Sequence, residues 1–408
     1  MVKIKSEYDV IVLGGGLAGM TMAATLGVYG FNTVCLEAQK PQKSKSSPQD
    51  IRTTAISYGS HNVLKKAGIW THLEKYASPI KNIHIMDGTS PGLLEFDSKE
   101  VEGKPFGWII ENGILREGMQ KTLKKLKNVD HVTGFQVAEF KDLNASVSVT
   151  SEDGKEVSAK LLIGADGRHS PTREWLGIDT KAWDYDQQAL VFVVEHENPH
   201  QNIAVEHFRK EGPFAILPMV DGKKKQYRSS VVWTEHGTSK SYKDFDDTIF
   251  NAAIAERFPD FYGSVKVIGS VAAWPLKFMR AKSYTGNRTA LIAEAAHVMH
   301  PIAGQGLNMS IRDIAALIEV IHGTDDPGQV SLLERYQSLR MKDNISMGMV
   351  TDGLNKLFSN NVSGIQGLRR FGLGLVKKTP PAKQFFMRQA MGHMGFLPSL
   401  LKGEDLAA

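Results

Sequence analysis

The chain has a single cysteine, Cys35, among 408 residues. No intramolecular disulfide can form, which fits a reducing compartment, and the apolar run NTVCLEA marks Cys35 as a small buried side chain. No window supplies the ~20 apolar residues that a membrane-spanning helix needs. The opening MVKIKSEYDVIVLGGG has too short an apolar stretch before its glycines to read as a signal peptide. The expected address is the cytoplasm, with peripheral contact at the inner face of the membrane left open. Long runs of one charge are missing too. The densest, Lys223 to Lys225, reads as a solvated hairpin tip, and a formal charge of +5 spread along the chain gives no nucleic-acid footprint. His297 and His300 form an isolated H-x-x-H pair without the further ligands a zinc site requires, so no metal is expected and both histidines are read as loop braces.

What is present is an ordinary globular composition, 42% hydrophobic and 23% charged, in a chain long enough for two or three domains. YDVIVLGGG is a short β-branched run that ends in glycine, LAGMTMAATLGVYG has helical spacing and closes at Gly30, and NTVCLEA is a second strand. Together they make a βαβ unit with a parallel strand pair. The spacing of SHNVLKKAGIWTHLEKYA predicts a helix over 60–77, and NGILREGMQKTLKKL predicts another. Glu152-Asp153-Gly154 is a hairpin turn. From about Trp183 to Trp274 extended runs dominate, interrupted by the helical KDFDDTIFNAAIAERF, and past residue 310 the chain is largely helical. The fold class expected is α/β: a Rossmann-like nucleotide-binding domain, an inserted and mostly antiparallel β-sheet domain, and a helical C-terminal region.

Two glycine turns carry the chemistry. The first, Gly14-x-Gly16-x-x-Gly19 with Leu17 and Ala18 opening the helix, lets the backbone turn sharply and bring the N–H groups of a helix start against a pyrophosphate. Glu37 ends the second strand, near the ~20-residue offset at which an acid meets ribose hydroxyls. This unit alone does not separate NAD from FAD. The second turn does. Pro301, Gly304, Gln305, Gly306, Leu307 and Asn308 lead into another helix nearly 300 residues on, and a long dinucleotide such as FAD needs a second anchor for its ring end.

GGGLAG with Glu37, IGADGRHSPTR, and AEAAHVMHPIAGQGLN together resemble the class A flavin-dependent aromatic hydroxylases, whose type member hydroxylates para-hydroxybenzoate. DIRTTAISYGS, LLIGADGRHSPTREWLGI and the C-terminal RYQSLRMKDNISMGMVTDGLNKLFSNN bring the likeness closest to the flavin hydroxylases of ubiquinone biosynthesis. The resemblance spans nearly the whole chain. It implies FAD as cofactor, NADH or NADPH as transient electron donor, and O2 activated as a flavin C4a-hydroperoxide that hydroxylates the ring of a lipophilic polyprenyl phenol. Carried over by position, Arg52 and Arg116 would meet the phosphates or ribitol, Val137 the adenine through its backbone, and Asp166 with Gly167 the flavin and the approach of the nicotinamide. Arg173 belongs to the same motif. Where the family has Gly-Asp this chain has Ala293-Glu294, and the longer Glu294 would have to shift to reach the same cofactor oxygen.

The implied domain layout is 1–79, 104–182 and 286–330 for the FAD-binding domain, 80–103 and 183–285 for the substrate domain, and 331–408 for the helical region. Phe214, Leu217, Pro218 and Trp233 are the expected walls of the substrate pocket; singly, each also suits plain sheet core. No residue is singled out as the general base. The last segment mixes Phe, Leu and Met with Arg369, Arg370, Lys377, Lys378, Lys383, Arg388 and Lys402, as either an interfacial or partner-docking face or a cap on the flavin domain. An accessory flavoprotein of a quinone-biosynthesis complex and a flavin reductase of the same fold stand as alternatives to a hydroxylase; a halogenase would need a W-x-W-x-I-P motif, and only AAWPLKF occurs.

Overall fold

The computed structural model describes residues 5–40, 52–88, 90–209, 212–222, 226–237, 241, 244, 246–300, 304–358, 374–393 and 395–406. The tip at Lys223 to Lys225, Pro301, Arg369 and Arg370 lie outside the described residues.

β1 (Glu7–Leu13), α1 (Leu17–Val28) and β2 (Thr33–Glu37) form the βαβ unit, with β1 and β2 parallel. Next come β3 (Thr53–Ser57) and α2 (Tyr58–Lys66). The long helix expected over 60–77 is not continuous. α2 ends at Ala67 because Gly68 turns left-handed at φ 72°, and residues 70–72 and 74–76 wind into short 3-10 turns. β4 (Ser78–Ile80), β5 (Asn82–Asp87), β6 (Ser90–Asp97), β7 (Gly107–Glu111), α3 (Asn112–Leu123), β8 (Val129–Thr133), β9 (Val137–Asp142), β10 (Val147–Ser151), β11 (Glu156–Gly164) and α4 (Pro171–Trp175) follow. β10 and β11 are the hairpin that Glu152-Asp153-Gly154 announces.

The extended middle of the chain is β12 (Thr180–His196), β13 (Ile203–Arg209), β14 (Gly212–Pro218), β15 (Tyr227–His236), α5 (Asp247–Ala255) and β16 (Val265–Ala281). Asp246 caps α5 by accepting from the N–H groups of Thr248 and Ile249, which is why this helix starts later than its sequence spacing suggests. The last part holds β17 (Thr285–Gly286), β18 (Thr289–Leu291), β19 (His297–Val298), α6 (Gln305–Ile321), α7 (Val330–Phe358), α8 (Pro380–Ala390) and α9 (Ser399–Lys402). No described helix is long and apolar enough to cross a membrane.

The strands sort into three sheets. In the first, the run β18-β11-β1-β2-β8 is parallel, with β17 at one edge and the β9-β10 pair attached to β11. Its central strands β1, β2 and β18 and the second half of β11 are buried on both faces, as their continuous apolar runs require, while β8 and β9 are more exposed. The second has the order β19-β16-β12-β15-β14-β13-β5-β6 and is antiparallel except between β13 and β5. The third is the small β3-β7-β4 sheet. α1, α3 and α6 pack on the first sheet in one large core with Val10, Val12, Met20, Leu115, Ile314 and Leu317.

Strand alternation gives the second sheet two unlike faces. Phe192, Val205, Phe214, Ile216, Val231 and Trp233 point one way and are sealed by Phe250, Ile254 and Phe258 from α5 and the turn after it. The other face carries Val193 and Leu217, which pack with Ala55, Phe106 and Ile109 of the small third sheet and its flank, and with Met387 of α8. Thr53 of β3 donates its hydroxyl to Ser230 Oγ at 2.8 Å on this face. The guanidinium of Arg52 stands over the Trp274 ring, 4.8 Å from its centroid. This second face is therefore the one turned toward the glycine turns.

Candidate active site

The first turn is built by close backbone approach. Gly14 has φ 106°, and a Cβ there would lie 2.2 Å from the carbonyl oxygen of Ala165. A Cβ on Gly19 would lie 1.8 Å from the carbonyl oxygen of Gly14, so α1 seats directly on the turn. Gly16 is different. It is the N-cap of α1, supplies no side-chain cap, and a Cβ there would meet nothing within 4 Å. The N–H groups of the first turn around Leu17 and Ala18 thus face open ground suited to an anion. Glu37 reaches across: Oε2 accepts from the Gly15 N–H at 2.7 Å and Oε1 from the Gln39 N–H at 2.8 Å. An ionised carboxylate accepts about four hydrogen bonds, so both oxygens keep capacity for ribose hydroxyls. The Phe135 N–H donates to the Glu37 carbonyl, which brings the start of β9 at Val137 to the same end.

Arg116 is exposed on α3, beside α1, and makes no ion pair among the described residues. Asp166 is committed inward. Its Oδ2 accepts from the Thr172 N–H at 2.9 Å and the Thr172 hydroxyl at 2.7 Å, and Oδ1 from the Ser170 hydroxyl. The side chain thus anchors the start of α4. Arg173 also braces, donating to the carbonyls of Ala295 and Arg168. Glu294 is half exposed and pairs with Arg168 at 3.4 Å, while Ala293 sits at φ 56°, a left-handed position that favours the glycine for which it stands.

The second turn repeats the logic of the first. Gly304 is a left-handed N-cap of α6 with no side-chain cap, and a Cβ on Gly306 would meet nothing within 4 Å. Asn308 pins this helix start to β3: Nδ2 donates to the carbonyls of Ala55 (2.8 Å) and Gly304 (3.1 Å), and Oδ1 accepts from the Ser57 N–H (2.9 Å). Leu307 packs on the main core, and Gln305 is half-buried. α6 also packs on α1, so both helix starts belong to one layer. Two glycine-capped helix N-termini with open ground above them fit a long dianionic dinucleotide.

Both histidines lie behind the second turn. His297 donates from Nε2 to Asp313 Oδ2 at 2.6 Å. Asp313, fully buried in α6, also accepts from the Ala293 N–H at 3.0 Å and from Arg340 Nε of α7 at 2.8 Å. Burial would raise this carboxyl, but His297 and Arg340 outweigh it and hold it at about 2. His300 lies against the Tyr185 ring and donates from Nε2 to Gln187 Oε1 at 3.3 Å; burial pushes it down to about 4, only partly offset by Asp352. Among the described residues no cluster of three or more His, Cys, Asp or Glu side chains is arranged to hold a metal.

The pocket expectation needs correction. Phe214 and Trp233 lie on the far face of the second sheet, sealed under α5, and Pro218 is buried in the same register as Ile216. Of the four, Leu217 alone is on the face turned to the cofactor layer. Sequence alternation identifies neighbours on one face but not which face meets the other domain. That face holds a residue the sequence reading passed over, Glu206 of β13, a carboxyl in an otherwise apolar row. The available signal was a lone acid inside the buried run NIAVEHF.

Comparison with known proteins agrees with this geometry. The chain is similar to ubiquinone hydroxylase UbiL of Rhodospirillum rubrum, 37% identical over 98% of this chain and 93% of that protein. It is 29% identical to 3-demethoxyubiquinol 3-hydroxylase of Escherichia coli, over 94% of this chain and 98% of the relative. Its fold is shared by Klebsiella pneumoniae HpxO in complex with FAD and uric acid, at a TM-score of 0.75, 16% identity and 98% coverage of each chain. The FAD binding domain family matches residues 7–346, a span that takes in both glycine turns and the whole second sheet, and the chain belongs to that family as an FAD-dependent hydroxylase.

Proposed function

We propose that the protein hydroxylates the aromatic ring of a polyprenyl phenol on the route to ubiquinone, with FAD as cofactor, O2 as oxidant and NADH or NADPH as electron donor. The observation that carries the reading is the face of the second sheet turned to the cofactor layer, where Ala189, Val191, Ala215, Val232 and Ala272 make a small-residue, apolar surface across four adjacent strands. The names of the relatives point the same way. Bound FAD supplies the oxygen-activating chemistry. The chain's own residues do the rest. The helix starts at Gly16 and Gly304, with Arg116 and Glu37, hold the two ends of the cofactor. Arg52, stacked on Trp274, ties the cofactor layer to the substrate sheet. The apolar face keeps water from the reacting ring, which a coupled hydroxylation needs. The division into FAD-binding, substrate and helical regions at the boundaries given above belongs to the same proposal.

We place the protein at the cytoplasmic membrane surface, where such a substrate partitions. Met387 of α8 is buried on the substrate side, while Phe385 and Phe386 of the same helix and Leu375 just before it are exposed beside the exposed Lys377, Lys378 and Arg388. Apolar rings flanked by cations suit an anionic lipid interface.

The test is genetic and chemical. Deleting the protein in its host should make a quinone precursor lacking one ring hydroxyl accumulate, identified by mass spectrometry. The purified holoprotein should oxidise NAD(P)H faster when that precursor is added and convert it. Bound flavin with no turnover on any accumulated phenol would instead favour an accessory flavoprotein.

A further inference from the structure

We propose that Glu206 is the substrate-recognition group of this hydroxylase: its carboxyl receives the phenolic hydroxyl of the ring to be hydroxylated. The inference deepens the proposed function and rests on its reading that the substrate is a phenol.

Position carries the argument. Strand register sets Glu206 of β13 beside Ile85 of β5 and Ala215 of β14. Ala215 is opposite Val232, Val232 opposite Val191, and Val191 opposite Ala272. These residues form one straight row across the second sheet, apolar throughout except for this carboxyl. The row lies on the face turned to the cofactor layer. Two residues along it, about 7 Å away, Leu217 pairs with Ser230, which accepts the hydroxyl of Thr53 from β3. β3 in turn touches the second glycine turn, since a Cβ on Gly304 would meet the Ala55 Cβ at 3.1 Å. Ser230 and Glu206 are thus two strands apart and two residues offset, about 12 Å, so the carboxyl and the strand that β3 touches lie on one face with room for a substituted ring between them.

The chemistry of the group points to a ligand. The Glu206 carboxyl makes no side-chain hydrogen bond or ion pair among the described residues. The row offers this carboxyl no donor, so its hydrogen-bonding capacity is left for water or for a bound molecule. It is also not sealed in the core: residues of the opposite face such as Phe214 and Ile216 have no exposure, whereas Glu206 keeps partial contact with solvent although protein surrounds it. It therefore lies at the accessible side of the row, where a bound molecule can reach it. Burial alone pushes its carboxyl up to about 7, so near neutral pH both forms are present; the ionised one accepts from a phenol O–H, and the protonated one donates to the phenol oxygen.

The experiment uses the FAD-loaded full chain. Binding of a short-chain prenylated phenol and of its O-methyl ether is read from the flavin absorbance change, for the wild type and for Glu206→Leu. The wild type should prefer the phenol by about 10–100-fold, the range of a hydrogen bond to a charged partner. Glu206→Leu should bring that ratio close to one while ether affinity, flavin content and melting temperature hold. Glu206→Met, closer in volume, gives the same reading if the leucine variant fails to load flavin. A folded, flavin-loaded variant that keeps the phenol preference overturns the assignment of Glu206 alone. A wild type with no phenol preference overturns it together with the phenol reading of the substrate.

Discussion

Replacing Asp313 with asparagine tests how the cofactor layer is held together. The carboxylate joins three segments far apart in sequence: the Ala293 N–H and His297 ahead of the second glycine turn, α6 itself, and Arg340 of α7. Asp313 and Arg340 are both wholly buried, so the substitution leaves an interior guanidinium with only Asp343 as anionic partner. Removing one member of a buried ion pair typically costs about 3–5 kcal/mol. Unfolding entropy of ~2.1 cal/mol/K per residue over 408 residues converts this to a fall of about 4–6 °C in the melting midpoint. Far-UV circular dichroism and the rise in flavin fluorescence on release should both report it. The pH dependence has a definite sign. A carboxyl lowered from 3.8 to about 2 adds stability that is complete above pH ~4 and is lost as pH falls toward 2. The increment is about 2 kcal/mol, and the asparagine variant should lack that acid limb. A midpoint within 1 °C of the wild type would refute the reasoning, because the network would then be dispensable.

Two glycines of the first turn should fail in opposite ways. Gly14→Ala forces a Cβ to 2.2 Å from a carbonyl oxygen at a left-handed φ and should not yield soluble folded protein. Gly16→Val enters open space and should fold with a normal far-UV spectrum but retain less than about a tenth of the flavin, the equivalent of ~1.4 kcal/mol. Full flavin occupancy of the valine variant would place the pyrophosphate elsewhere. At the other end of the chain, the double substitution Phe385→Ser and Phe386→Ser removes two exposed rings, each worth about 1.5–3 kcal/mol if fully buried in lipid. Co-sedimentation with anionic vesicles should drop at least tenfold with no loss of flavin, and unchanged co-sedimentation would refute the membrane placement.

Much of the fold was legible because it rests on local rules. Gly30 ends α1, the Glu152-Asp153-Gly154 turn joins β10 to β11, and the period-two runs from 183 to 274 are strands of one mostly antiparallel sheet. Both glycine turns were legible for the same reason: a helix start needing close backbone approach leaves its mark in residue type. What failed has one local cause and several distant ones. Gly68 broke a helix whose apolar spacing ran past it, since one left-handed residue outweighs a periodic pattern. Phe214 and Trp233 had the right chemistry for a pocket and the wrong side of the sheet, which α5 decides. Asp166 carried a motif yet spends its side chain on α4. Glu206 was passed over because only the assembled row reveals that its neighbours offer it no partner.

Arg340 has a consequence for how the molecule can be cut. It lies in α7, well past the second glycine turn, yet its guanidinium fills the interior beside Asp313, and Leu333 and Tyr336 of the same helix join the principal core. A truncation ending near residue 330 would strip Asp313 of its arginine partner in a dry interior and leave His297 to hold it. The long helix is therefore not a detachable cassette. Chimaeras that swap C-terminal segments between relatives should keep their junction beyond Asn344, or carry α6 and α7 across as a matched pair.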